Sequence, residues 1–351
     1  MNRKSCALLS LAVLVMLAVP FQSGSDASDT PVGYYESQLD DVGKTVYGQV
    51  LDAMMADATA DSVDVSATIG SDLVFRASDS AAAMSAADAY CSDVISKVLT
   101  ALYLDDPSLI WLWDYPVTSI ELSFMHEEVE ISQPTDSAYA LGTVGFTLSV
   151  PQDYAGKVAE TRDALLAAAQ AFPDAATMQK TVRSIHDRIY AIKSVDDAEG
   201  TVSNAYDALV TKESSSIGKA AAFTYVCKVK SIDAVTLAGM AYASSGPGEG
   251  AVAFWNAVAS DGSWYLVDCT LKDCVMLGTT GVAGSIMSTI RVVDGSVMGL
   301  DVSGSPELSR SSYEFPDERN FIEKYGPHVM IALIGALISI AVVMAIRQGN
   351  A

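Results

Sequence analysis

An uncharged apolar run near the end of the sequence most constrains how this chain of 351 residues can fold. The run covers residues 329–346, and Arg347 follows it directly. Roughly 18 consecutive apolar residues or more suffice for an α-helix to cross a lipid bilayer. The run therefore predicts a C-terminal transmembrane helix over 329–346. We also predict a juxtamembrane linker over residues 304–328, which connects this helix to the water-soluble part of the chain.

The beginning of the sequence has the layout of a secretory signal peptide. Arg3 and Lys4 precede an apolar run over residues 6–19, and small polar residues follow. We predict a signal peptide over residues 1–27, because the run is short for a full membrane span. Basic residues flank the outer end of both apolar segments, which predicts that both ends are cytoplasmic. The predicted localisation is a single C-terminal membrane span that carries an extracytoplasmic domain.

The charge and the scarcity of histidine argue against several classes of function. The chain has 43 acidic and 21 basic residues, a formal net charge of −22. Such a surface repels phosphate backbones, so we expect no nucleic-acid partner. Three histidines and no paired cysteine motif leave no predicted metal site and no predicted cofactor. His126, Glu127 and Glu128 are consecutive on a predicted strand and point to alternating faces, which favours a solvated strand end over a metal site.

The cysteines do not form a dense disulfide framework. Four of them follow the predicted signal peptide: Cys91, Cys227, Cys269 and Cys274. A local disulfide between Cys269 and Cys274 and a pair of unpaired core cysteines both agree with the sequence, and the choice depends on the compartment.

The periodicity of apolar residues predicts an α+β fold with two soluble domains. The first, over residues 28–150, is a small α+β accessory domain. The predicted helices cover 34–57 and 80–102, and the predicted strands cover 63–75, 119–132 and 137–150. The last two of these strands form a predicted antiparallel pair.

The second domain, over residues 151–303, is predicted to pack helices on an antiparallel sheet. The predicted helices cover 152–172, 174–193 and about 216–230, and the predicted strands cover 233–243, 250–260 and 263–271. Asp174 is placed to cap the second helix, because an aspartate side chain can accept hydrogen bonds from the first N–H groups of a helix. Asp261 and Gly262 form a strong hairpin signal between the last two strands.

Five short motifs occur in order along this domain. They are Ile185-His186-Asp187, residues 205–210, residues 216–223, residues 253–256 and residues 261–271. This series resembles the transglutaminase-like family, which has a papain-like cysteine-enzyme fold. The resemblance covers residues 181–271 with family-like spacing, and the N-terminal region is more loosely similar to accessory regions of secreted members.

The resemblance implies a catalytic triad of which one residue is kept. The family's nucleophilic cysteine corresponds to Ser216, its histidine base to Ala253 and its aspartate to Asp268. A serine hydroxyl needs an adjacent base more than a thiol does, and alanine offers no lone pair. We therefore expect no intact catalytic residue set. Four residues are candidates to line what remains of the cleft, or to serve as core: Gly218, Trp255, Asn256 and Trp264.

These observations favour a catalytically degenerate protein that serves in binding or in cell-envelope architecture. Its expected contacts are the membrane, through the C-terminal helix, and a protein or peptide partner at the degenerate cleft. The alternative is an active transglutaminase-like acyltransferase or peptidase with an unrecognised base. His186 is the nearest histidine in sequence, but its apolar helix face favours a packed or capping role. A structural envelope protein without a ligand is a third hypothesis.

Overall fold

The computed structural model of this protein combines helices and sheets, as the sequence predicts. It describes residues 33–56, 62–68, 73–109, 121–128, 137–149, 157–195, 203–243, 251–280, 289–293, 305–315, 330–331, 333–335 and 338. The chain divides into two units, Met1–Ser312 and Tyr313–Ala351. The predicted signal peptide lies outside the described residues, and the boundary predicted at residue 150 stays a prediction.

The N-terminal part of the first unit contains two helices and an antiparallel sheet. The helices are α1 (Asp41–Ala56) and α2 (Ser80–Asp105), and the strands are β1 (Ser62–Thr68), β2 (Val74–Ala77), β3 (Glu121–Glu128) and β4 (Ser137–Ser149). The long strand β4 pairs with all three others, and the predicted pairing of β3 with β4 is confirmed.

The single strand predicted over 63–75 is interrupted. The structure forms β1 and β2 there, and they pair with opposite halves of β4. The sequence between them contains Gly70 and Asp72, residue types that are depleted in strands, whereas the alternation of apolar residues on both sides suggested one continuous strand.

The remainder of the first unit contains three longer helices and a second sheet. The helices are α3 (Val158–Gln170), α4 (Met178–Tyr190) and α5 (Ser216–Val229). A two-stranded parallel pair joins β5 (Lys193–Ser194) to β6 (Glu213–Ser214). The main sheet is antiparallel in the order β10-β7-β8-β9, with β7 at Ala234–Ala243, β8 at Ala251–Ser260, β9 at Ser263–Val267 and β10 at Thr289–Val293.

The turn between β8 and β9 is confirmed in detail, whereas the predicted cap of α4 is not. Asp261 and Gly262 both have positive φ, 52° and 75°, as a tight two-residue hairpin turn requires. Helix α4 begins at Met178 instead of residue 174, and the Thr177 side chain accepts the capping hydrogen bond from Lys180 N. Asp174 instead pairs with Lys230, with 3.0 Å between carboxylate and ammonium.

The two faces of the main sheet contact different parts of the core. One face carries an apolar cluster that consists of Val235, Leu237, Ala253, Trp255, Ala257, Leu266, Cys274 and Leu277. The other face packs on α5, which is buried around nearly its whole circumference from Ile217 to Cys227. Helix α5 is therefore a central helix, and the side of the sheet that a residue occupies decides whether it can meet α5.

The described cysteines, Cys91, Cys227, Cys269 and Cys274, are all buried, and none of them forms a disulfide. Of the two alternatives for Cys269 and Cys274, the structure has the two core thiols, whereas the disulfide is predicted only for an oxidising compartment and stays a prediction. The loop between them is closed by backbone hydrogen bonds, since Asp268 N donates to Cys274 O over 2.9 Å. Burial raises the pKa of the Cys269 thiol well above its ordinary value.

The second unit contains part of the apolar run predicted to cross the membrane. Residues 330–331, 333–335 and 338 are helical, and their large apolar side chains are exposed, Ile331 to 69%. Within the described parts of the chain, no helix combines the length and the apolarity that a bilayer crossing needs. The transmembrane helix over 329–346 stays a prediction.

Candidate functional site

The position of the family nucleophile lies at the first residue of α5, as the sequence predicts. Ser215 precedes Ser216 in an extended conformation and is the N-cap residue, although its side chain makes no capping hydrogen bond. Ser215 N donates to Ser203 Oγ over 3.1 Å, and Ser215 O accepts from Lys219 N. The hydroxyl oxygen of Ser216 is itself buried. The residue as a whole is half-buried.

Gly218, in the first turn of α5, lies against the preceding chain with no room for a side chain. A Cβ atom there would lie 2.2 Å from Ser214 Oγ, 2.7 Å from Asn204 O and 3.0 Å from Ser203 Cβ. The glycine thus permits close packing of α5 on residues 203–214. The structure places this predicted cleft residue in the interior.

Ala253, the position of the family base, lies on the sheet face away from α5. Its neighbours in the apolar cluster include Trp255 and Ala257, which share its face because side chains alternate along a strand. Asn256 lies on the opposite face, where its amide donates to Ala220 O over 2.9 Å and to Thr224 Oγ1 over 3.0 Å. Since Ala220 and Thr224 belong to α5, the structure brings Asn256 to that helix and directs the Ala253 methyl elsewhere.

Asp268, which the resemblance equates with the family's aspartate, stabilises its own turn. Its carboxylate oxygen Oδ1 accepts from Thr270 N over 2.8 Å and from Thr270 Oγ1 over 2.5 Å. The side chain is fully buried, so these donors offset the cost of removing a carboxylate from water. This is the local turn geometry that aspartate commonly adopts, and it gives Asp268 a structural role without a histidine.

His186 connects α4 to that same turn. Its Nε2 lies 3.2 Å from Asp268 O and 3.0 Å from Leu271 O, and its Nδ1 lies 2.9 Å from Asp187 Oδ1. The Nε2 neighbours are carbonyl oxygens, so this nitrogen carries hydrogen. The predicted packed role is confirmed, and both ring nitrogens are engaged away from Ser216. His328 lies outside the described residues, and the structure describes only the backbone of His126, which pairs with Leu141.

The two tryptophans predicted at the cleft belong to the apolar side of the sheet. Trp255 is almost completely buried, and Trp264 is half-buried where it packs against the cluster. The Trp264 carbonyl accepts from Ser309 N over 2.7 Å. Both residues therefore support the packing of the sheet, and Trp264 alone retains partial access to solvent.

Sequence reasoning missed Lys219, which lies one helical turn after Ser216. The side chain is 1% exposed. Its Nζ lies 2.9 Å from Ile192 O, 2.8 Å from Ser194 Oγ and 3.5 Å from Tyr190 O. Burial lowers its pKa from the ordinary value, and the nearby Cys269 and Asp268 oppose that effect in part. A lysine inside an alanine-rich apolar helix was the available signal, since lysine is seldom buried.

Comparisons with known proteins do not identify a family. No family model and no curated protein matches the chain. Similar solved structures include a protein from Cytophaga hutchinsonii provisionally described as a cysteine protease, with 15% identity, TM-score 0.28, and coverage of 51% of this chain and 70% of that one.

Two further solved structures are similar at the same low level. One is a provisionally described protease from Parabacteroides distasonis, with 15% identity, TM-score 0.23, and coverage of 43% of this chain and 40% of that one. The other is named a TGase, with 12% identity, TM-score 0.25, and coverage of 56% of each chain. Scores of this size carry no argument about activity.

Proposed function

We propose that this chain is a membrane-anchored extracytoplasmic protein with a transglutaminase-like domain that lacks the family's thiol chemistry. It would act in binding or in the architecture of the cell envelope. The observation that carries the proposal is the placement of Ala253 in the apolar cluster, on the sheet face opposite to α5. No base is available from that position, and the adjacent helix starts with a serine whose hydroxyl oxygen is buried.

The chemistry of nucleophilic catalysis explains why these two features matter. A serine hydroxyl attacks a carbonyl only when a neighbouring base takes its proton. In the family pattern a histidine does so and an aspartate orients that histidine. Here the corresponding side chains are a methyl group and a carboxylate that is bonded to Thr270. The alternative, an acyltransferase or peptidase that uses Ser216, would require another base at the start of α5.

The membrane anchor rests on the apolar run over 329–346. The run has 18 residues without a charge, and its described positions are helical with exposed apolar side chains such as Met330 and Ile331. Exposed contiguous apolar surface favours contact with lipid or with another protein. Protease added to intact cells should remove the soluble unit and leave a C-terminal tag protected, whereas digestion of the tag from outside would exclude the proposed topology.

A protein or peptide partner belongs to the same proposal. Because Gly218, Trp255 and Asn256 are buried, such a partner would bind over the outer surface near the half-buried Trp264. The net charge of −22 disfavours a nucleic-acid partner, because it repels phosphate backbones.

The experiment compares the wild type with Ser216→Ala for amine incorporation into a glutamine-containing acceptor and for peptide cleavage. We expect no turnover that depends on Ser216, so the two proteins should behave identically. Turnover that disappears in Ser216→Ala would contradict the proposal. Ser92→Ala, at an exposed serine of α2, is the matched control, because a loss that both variants share would not be specific to Ser216.

A further inference from the structure

A second serine of this chain has the basic neighbour that Ser216 lacks. Ser194 is exposed in β5, and its Oγ lies 2.8 Å from Nζ of the buried Lys219. The backbone at this point is fixed, since β5 pairs with β6 and Val195 N donates to Ser214 O over 3.1 Å. An ion pair between Lys193 and Glu213, at 2.7 Å, joins the same two strands. Ser194 thus presents its hydroxyl on a positioned segment.

Lys219 Nζ donates to all three of its neighbours in the ammonium form, and the same three positions also accommodate the neutral amine. A neutral lysine amine has two N–H donors and one lone pair. Ile192 O at 2.9 Å and Tyr190 O at 3.5 Å are carbonyl oxygens and can only accept hydrogen. When the amine donates to both, its lone pair remains for the third neighbour. That neighbour is Ser194 Oγ, which carries a hydrogen that it can donate.

The burial of Lys219 makes its neutral form easier to reach than that of an exposed lysine, because desolvation lowers its pKa. The side chain is almost fully buried, and the groups in hydrogen-bond contact with Nζ are two carbonyls and a hydroxyl, none of them a carboxylate. Desolvation lowers its pKa, whereas Cys269 and Asp268 of the neighbouring turn raise it to a smaller extent. From α4, the His186 ring is already engaged by carbonyls and by Asp187. Buried lysines that lose their charge in this way are able to act as general bases.

We propose that Ser194 is a nucleophile and Lys219 its general base, and that the pair accepts acyl groups from small esters. The Ser194 oxygen forms a bond to the ester carbonyl carbon while its hydrogen passes to Lys219 Nζ. The bond from that carbon to the alcohol oxygen then breaks, and the ammonium returns the proton to the leaving oxygen. The products are an acyl ester of Ser194 and the free alcohol. Serine–lysine pairs are an established variant of nucleophilic catalysis in unrelated folds.

The site is separate from the family positions, although Lys219 belongs to the same helix as Ser216. Its Nζ reaches away from the start of α5, towards the end of α4 and the strand that follows. Acylation of Ser194 therefore goes beyond the proposed function, and its test does not depend on whether Ser216 is reactive.

The test uses p-nitrophenyl acetate with the full chain, and mass spectrometry locates the acetyl group on serine peptides. Ser92 is an internal control, because it is an exposed serine whose hydroxyl donates to a carbonyl, Asp88 O, at 2.8 Å. General-base assistance typically accelerates proton transfer by about 10²–10⁴. We expect acetylation of Ser194 to exceed that of Ser92 by about 10² or more, and to persist in Ser216→Ala.

Lys219→Met should reduce the acetylation of Ser194 to the level of Ser92, and Ser194→Ala should abolish it without affecting Ser92. The pH profile adds a readout that a merely structural lysine would not change: acetylation of Ser194 should rise to a plateau below pH 10.4, the ordinary pKa of lysine. Equal rates at Ser194 and Ser92 in the wild type would overturn the proposal, and this comparison remains decisive if Lys219→Met fails to fold.

Discussion

Gly218→Ala tests whether α5 is packed as closely on the preceding chain as the structure indicates. In an open helix interior, replacing glycine by alanine stabilises a protein by about 0.5–1 kcal/mol, because the unfolded chain loses freedom. At Gly218 the added Cβ would lie 2.2 Å from Ser214 Oγ and 2.7 Å from Asn204 O. The serine hydroxyl can rotate away. The Asn204 carbonyl belongs to the backbone and accepts a hydrogen bond from Ala208 N, so it cannot move alone.

The expected magnitude follows from these two opposing effects. Forcing an extra carbon into a packed interior typically costs about 1–3 kcal/mol. Subtracting a conformational gain of about 0.5 kcal/mol, the lower end of its range, leaves a net loss of about 0.5–2.5 kcal/mol in the free energy of unfolding. Because Gly218 lies in the first helical turn, the stabilisation gained by replacing glycine with alanine is no larger there than in a helix interior. The net effect of Gly218→Ala should therefore be a lower free energy of unfolding.

The assay is urea unfolding of the full chain in mild detergent, followed by tryptophan fluorescence. Gly48→Ala is the matched control, since Gly48 lies within α1 and a Cβ there meets no atom within 4 Å. The control should stabilise the protein by about 0.5–1 kcal/mol. A Gly218→Ala variant as stable as the wild type, or more stable, alongside the expected gain at Gly48, would refute the close approach of α5 to residues 203–214.

Two further predictions concern buried carboxylates. Burial raises the pKa of Asp105 to about 7, although hydrogen bonds from Tyr35 N, Glu36 N and the Tyr47 hydroxyl lower it. The folded state therefore holds a proton that the unfolded state releases near pH 4, and the unfolding free energy should fall as pH rises from about 4 to about 7, by at most about 1.4 kcal/mol per pH unit. Asp105→Asn should remove this component, and urea midpoints with an unchanged pH dependence would contradict it. Thr270→Val removes one donor from the buried Asp268 carboxylate and should cost about 1–3 kcal/mol in urea unfolding. Thr45→Val, at an exposed hydroxyl that donates to Asp41 O, should be nearly neutral, and equal effects of the two changes would show that the Asp268 turn does not depend on Thr270.

Local signals in the sequence predicted the elements around the candidate site well. The Asp261-Gly262 pair predicts the β8–β9 turn, because both residues tolerate the positive φ that this turn needs. The beginning of α5 at Ser216 is also correct. Local reasoning placed the start of α4 at Asp174, whereas Thr177 competes successfully as the cap residue. Both residue types can cap a helix, so composition alone does not choose between them.

The arrangement of the site depends on packing between distant parts of the chain, which one sequence does not reveal. Alternation places Ala253 and Asn256 on opposite sides of β8, but tertiary packing decides which side meets α5. Lys219 finds its partners 25 to 29 residues earlier in the chain, at the end of α4 and in β5. No periodicity indicates that contact. Strand β10 was likewise not predicted, and it pairs with β7 across 46 or more residues.

The central claim is that position 253, on the sheet face opposite to α5, offers no base to the residue at position 216, and the effect of Ala253→His on the alkylation rate of Ser216→Cys tests it most directly. The rate with iodoacetamide at neutral pH is compared between Ser216→Cys and the double variant that adds Ala253→His, at equal folded fractions. The wild type supplies the background, since its described cysteines are all buried. Comparing the two variants removes any effect of the helix N-terminus itself, which can activate a thiol without a base. We predict equal rates, because a side chain at position 253 lies on the sheet face opposite to α5. An increase of about tenfold or more on adding the histidine, the effect of lowering the thiol pKa by about one unit, would contradict the account.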